Sequence, residues 1–192
     1  MPWSNSGGGG SAAGVSSYNS RTGVVTAQAG DVEALFTAAG QIFQGTGSGT
    51  GALVLPPGYQ IGYDQITATV NVTSTTEASG TTIIGGSAYT FDGGLIMAEF
   101  FTPWAIAPSV AGGLVVSLFE GSTEIAKIGE LSGSGTQPAT AFCARYPFTP
   151  SAGSHTYTVT AFVSSTSGTP RISAGAGGTA TFSPAFLRLT KV

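Results

Sequence analysis

Charge is what this sequence has least of: Asp, Glu, Lys and Arg make up 8% of its 192 residues, against roughly a quarter in an average soluble domain. Gly, Ser, Thr and Ala fill the vacated places. The six basic residues form no run or stripe and the net charge is −3, which argues against the electrostatic footprint of a nucleic-acid binder. One cysteine, Cys143, rules out an internal disulfide. One histidine, His155, and that lone cysteine cannot supply the three or four ligands of a zinc-type site within one chain. The longest apolar stretches, Gly94 to Phe101 and Leu114 to Phe119, fall far short of the roughly 20 residues that cross a bilayer. The opening Met-Pro-Trp-Ser-Asn-Ser has neither a positive nor an apolar signal region, so synthesis in the cytoplasm without a signal peptide is expected. The nine carboxylates are scattered, with no Asp-x-Asp spacing for a glycosidase pair or calcium loop. Nothing near Ser154-His155 supplies a carboxylate to orient a base. His155 therefore reads as a solvent-facing strand residue, and no catalytic, metal or cofactor site is expected.

What is present argues for folding. The chain is 41% hydrophobic, with eleven Phe and six Tyr, too apolar for a disordered polymer, and its length suits one core plus an appendage. Residues 1–17 read as a flexible Gly/Ser tail carrying one aromatic ring, Trp3, that could dock into a partner. Residues 18–58 read as a connector: an extended stretch from Tyr18 to Gly30, then a short helix capped by Asp31 with Leu35 and Phe36 on its apolar face and Gly40 at its end. A hairpin follows, pairing Gln41–Gln44 with Ala52–Leu55 and stopping at Pro56-Pro57-Gly58. The Gly-rich loop Gly45 to Gly51 lacks the Gly-Lys-Ser/Thr ending and following helix of a phosphate cradle. A segment this short cannot bury its own core, and association with other copies is the remedy.

Residues 59–192 show short strands at even spacing, the pattern of an all-β antiparallel jelly-roll sandwich. Strands are expected over 65–72, 81–84, 88–91, 95–101, 114–119, 124–131, 140–148, 154–163, 171–174 and 185–192. Glu120-Gly121-Ser122-Thr123 turns the clearest hairpin, and the strands at 140–148 and 154–163 are expected to pair around Pro150. Leu95 to Phe101 is apolar on both alternating faces, so its second face calls for a cover, and another subunit is the candidate. Together with the connector this marks Leu35, Phe36, Phe43, Phe100 and Phe101 as candidate contacts between subunits. Glu99 interrupts that strand and needs Arg145, Arg171 or Arg188 as partner. Glu120, Glu124 and Glu130 read as a solvated edge that resists unwanted pairing. Cys143 reads as a small buried hydrophobe. Trp104 and Tyr146 are the candidates for an aromatic ligand platform, with core filling or subunit contact as the blander use.

Tyr18-Asn19-Ser20-Arg21-Thr22-Gly23-Val24-Val25-Thr26, followed by Gly30-Asp31, resembles the Phe-Asn-Gly-Arg-Thr-Gly-Xaa-Val-Thr and Gly-Asp stretch of fibre and minor tail proteins of tailed bacteriophages. Ser20 stands where glycine is common, and the stem is short. The C-terminal part resembles the small jelly-roll heads of such fibres and, more distantly, the trimeric tumour-necrosis-factor or complement-C1q sandwich. The resemblance implies a non-enzymatic homotrimer located in the virion. It would be attached to other virion proteins through its N-terminal segment, Trp3 included, and display its head for adhesion to a host-surface glycan or protein. The alternative it implies is a capsid-bound decoration or head fibre. Neither involves nucleic acid or membrane insertion.

Overall fold

A computed structural model describes residues 17–18, 21–22, 42–45, 51–133 and 137–192. The chain divides between Val54 and Leu55 into two units, each described by itself. In the first, β1 (Ser17–Tyr18) pairs with β2 (Arg21–Thr22), and β3 (Ile42–Gly45) pairs with β4 (Gly51–Val54), both antiparallel. The β3–β4 pair is the expected hairpin, with Phe43 opposite Leu53. Trp3, Leu35, Phe36 and the short helix expected after Asp31 lie outside the described residues.

The second unit holds β5 (Gln60–Ile66), β6 (Val70–Asn71), β7 (Thr81–Ile84), β8 (Ala88–Asp92), β9 (Ile96–Ile106) and β10 (Gly112–Glu120). It continues with β11 (Thr123–Gly133), β12 (Ala139–Phe148), β13 (Ala152–Val163), β14 (Arg171–Ser173) and β15 (Ala185–Lys191). Its one described helical turn is Glu77–Ser79. If the broken pairs β5/β6, β7/β8 and β14/β15 each count as one strand, the sheets read 1-8-3-6 and 2-7-4-5. First pairs with eighth, second with seventh, third with sixth and fourth with fifth, all antiparallel. Nested hairpins wound into two facing sheets are a jelly roll.

Period-two patterning explains why these segments pair as they do. On β13, Tyr157, Val159, Ala161 and Val163 point inward, in register with Glu120, Leu118, Val116 and Leu114 of β10. From the facing sheet come Ile96, Ala98 and Phe100 of β9 and Leu187 and Leu189 of β15, all buried. The β10–β11 hairpin turns at Gly121-Ser122, where Gly121 adopts a φ of +58° that suits glycine.

The sandwich takes in more chain than residues 59–192. Leu55 is buried, its N–H donates to Asp92 Oδ2 at 3.2 Å, and the Gly58 N–H donates to the Lys191 carbonyl at 2.8 Å. The strand expected over 65–72 instead starts at Gln60 and is interrupted between Ile66 and Val70. Strands β12 and β13, expected as partners, lie in opposite sheets: β12 pairs with β9, while β13 sits between β10 and the β7/β8 strand. Turn residues such as Pro150 announce a change of direction, and here the chain uses it to cross from one sheet to the other. Phe100 is also corrected as a trimer contact. It points into the chain's own core, in contact distance of Phe142 (centroids 6.1 Å apart), and presents nothing to a neighbour.

Candidate functional site

The outward side of the 1-8-3-6 sheet carries the most distinctive chemistry. Because Ile96, Ala98 and Phe100 face inward, Met97, Glu99 and Phe101 of β9 face out. Register sets Phe186 of β15 and Cys143 of β12 on either side of Phe101, and Arg188 and Arg145 on either side of Glu99. Two rows result. Tyr63, Phe186 and Phe101 stack across three strands, with centroids 5.3 and 5.4 Å apart and planes within 30°. Glu99 bridges two arginines, its Oε2 accepting from Arg188 Nη2 and its Oε1 from Arg145 Nη2 at 3.3 Å. The Arg188 guanidinium also lies 5.9 Å from the Phe186 ring. Desolvation works to raise the Glu99 pKa, but hydrogen bonds from Arg188 and then Arg145 outweigh it and hold the carboxyl below its usual range. Two of the three expected partners of Glu99 are therefore its actual ones. Cys143 is exposed rather than buried, because its strand parity matches Phe101; its thiol lies 3.9 Å from Glu99 Oε1.

Trp104 and Tyr146 do not form one platform. Between Thr102 and Ala105, β9 carries one residue more than β12 does between Phe142 and Thr140. This bulge at Pro103-Trp104 resets the alternation. Trp104 turns outward, 39% exposed, and stacks on Phe182, 46% exposed, at 6.3 Å. Tyr146 is opposite Ala98, on the inward parity of the edge strand. Arg171, paired with Ile106 and followed by the buried Ile172, also faces outward.

A second constellation escaped sequence reasoning. Glu120, at the end of β10, hydrogen-bonds His155 Nδ1, while His155 Nε2 lies 3.1 Å from Ser151 Oγ and 3.0 Å from the Ser151 carbonyl. His155 is not solvent-facing. It has the inward parity of Tyr157, its side chain is 14% exposed, and it packs beside Phe91 and Tyr157. The connectivity is that of a Ser-His-acid triad. Nδ1 faces the Glu120 carboxylate, and Nε2 lies within reach of both the hydroxyl and the carbonyl of Ser151, so the tautomer decides whether it accepts from the one or donates to the other. The group ties the turn before β13 to the end of β10. Beside it, burial and then the Glu120 carboxylate push the Tyr157 phenol up to about 12, and its hydroxyl makes no hydrogen bond of good geometry among the described residues.

The outward side of the 2-7-4-5 sheet is acidic. Glu124 and Glu130 of edge strand β11 are exposed, as expected, whereas Glu120 is turned to His155. Glu77 pairs with Lys127 at 3.1 Å and accepts from Ser117 Oγ at 3.4 Å. Desolvation would raise Glu77, but the Lys127 hydrogen bond and charge keep it low; desolvation and the Glu77 carboxylate push Glu124 up. Glu77, Thr82, Phe119, Thr158 and Thr160 line an open groove of about 440 Å³. Among the described residues no group of three or more His, Cys, Asp and Glu is placed to hold a metal ion, and no helix is long and apolar enough to cross a membrane.

No family model and no curated protein sequence matches the chain. Among solved structures, a family 35 carbohydrate binding module from Clostridium thermocellum aligns with TM-score 0.30 and 13% identity, covering 80% of this chain and 89% of that one. The carbohydrate binding module CBM6cm-2 of Cellvibrio mixtus lichenase 5A gives TM-score 0.26 and 16% identity over 80% and 88%. The virus-like particle of the Macrobrachium rosenbergii extra small virus gives 0.22 and 14% over 78% and 95%. Likenesses this low carry no functional argument; the jelly roll rests on strand order and register.

Proposed function

We propose that the chain is a non-enzymatic, homotrimeric structural protein of a tailed-phage virion whose jelly roll is displayed for adhesion to a host-surface glycan or protein. The observation that carries this reading is the outward aromatic face of the 1-8-3-6 sheet. Tyr63, Phe101, Phe186, Trp104 and Phe182 share one face, more exposed ring surface than a subunit working alone would leave uncovered. The Tyr18–Thr26 motif supports the virion setting. Stacking turns part of each ring in the Tyr63–Phe186–Phe101 row toward its neighbours, which suits packing under another protein surface, and leaves Trp104 and Phe182 as the rings for a ligand.

Gold labelling of the chain in intact particles tests the setting. Label at the tail tip supports adhesion, label over the head replaces it with capsid decoration, and particles free of the chain refute the virion reading. Adhesion itself is checked by binding of the labelled protein to host cells, which W104A with F182A should abolish while the fold, by circular dichroism, persists.

A further inference from the structure

The two outward surfaces of the sandwich differ in charge. On the aromatic face, Arg145, Arg171 and Arg188 stand with a single described carboxylate, Glu99, an excess of two positive charges in a chain whose net charge is −3. On and beside β11, Glu77, Glu124 and Glu130 stand with one cation, Lys127, an excess of two negative charges. Half of the six basic residues of the chain are thus gathered on the face that also carries its exposed aromatic row. Aromatic residues and arginine are the types enriched where protein surfaces meet.

Symmetry then decides how copies can meet. A two-fold contact sets a patch against itself, which would bring three arginines against three and is repulsive. A contact of the aromatic face with the acidic rim of the next copy is attractive and heterologous. Heterologous contacts close into rings when the rotation allows. Strands β11 and β12 are the edges of their sheets on the same side of the sandwich and contact each other. Glu124 and Glu130 thus lie on the outward side of the opposite sheet, at the edge that borders β12 and Arg145.

We propose that copies of this chain join head to tail, the aromatic and arginine face of one packing on the acidic rim of β11 and Glu77 of the next, and that three copies close the ring. The inference rests on the homotrimer reading and adds which surfaces meet. Arg145, with 63% of its side chain exposed, and Arg171 are the residues to reverse, since neither holds the core.

The test is sedimentation velocity of the full chain at low and high salt. Wild-type assembly should weaken as salt rises. R145E with R171E should raise the trimer dissociation constant by about tenfold or more, and adding E124R and E130R should return it to near the wild-type value. If the double reversal fails to fold by circular dichroism, R145Q with R171Q serves, with a weakening of about threefold expected. A trimer that ignores the arginine changes, or a four-fold variant that does not regain assembly, overturns this contact while leaving the trimer standing. A wild-type dimer overturns the ring, and a wild-type monomer overturns the trimer itself.

Discussion

Glu99→Gln keeps the shape of the side chain and removes the charge that two arginines share. The Arg145 partner is 63% exposed, so its pair contributes about 0.5 kcal/mol. Arg188 is 40% exposed against a Glu99 side chain only 13% exposed, and a charge-assisted bond to a largely desolvated carboxylate contributes about 1.5 kcal/mol. The sum, about 2 kcal/mol, lowers the Tm of a unit this size by roughly 8 °C. The sign of the pH dependence follows from the depressed Glu99 pKa. The stabilisation is fully present above the ordinary glutamate value of 4.5 and is lost as pH falls through the lower folded value. Thermal unfolding by circular dichroism, at one fixed protein concentration, should show the full gap between wild type and E99Q at pH 7 and a closing gap in stronger acid. Equal stability at pH 7, or a gap that persists once the carboxyl is protonated, would refute the reasoning.

Asp92→Asn should cost about 3 kcal/mol by urea midpoint at unchanged slope. Asp92 accepts from Lys191 Nζ at 2.7 Å and from the N–H groups of Gly94 and Leu55, and it leaves behind a lysine side chain only 12% exposed. Tyr157→Phe should be neutral or stabilising by about 1 kcal/mol, because the buried hydroxyl makes no hydrogen bond of good geometry among the described residues; a loss of stability would show that Glu120 satisfies it. In ultraviolet titration of the wild type, that phenol should ionise only near pH 12. Ser151→Ala should change stability by less than about 0.5 kcal/mol, and the wild type should show no ester hydrolysis that the substitution removes. A serine-dependent acyl intermediate would contradict the non-enzymatic reading.

The sequence discloses strands far better than it discloses partners. The β10–β11 hairpin is legible because Gly121-Ser122 sits between two alternating runs, and β13 because its Tyr, Val and Ala alternate with Thr. The pairing of β12 is not legible, since a Pro-Ser turn looks the same whether the chain folds back beside itself or crosses to the facing sheet. Glu99 could be matched to arginines because a charge in an apolar strand must be answered, and only a few cations exist to answer it. Trp104 could not be oriented, because one extra residue at Pro103 inverts every later side chain and leaves no compositional trace. The exposure of Cys143 is hidden for the related reason that parity is set by its partner strand. His155 and Glu120 are 35 residues apart, and their meeting follows from the β10–β13 register, which local patterning does not specify.

The mass of the full chain in solution, by light scattering at micromolar concentration, bears most directly on the idea that one aromatic sheet face is built to be covered by another copy. Three times the chain mass is the result the account requires; a stable, fully folded monomer would contradict it.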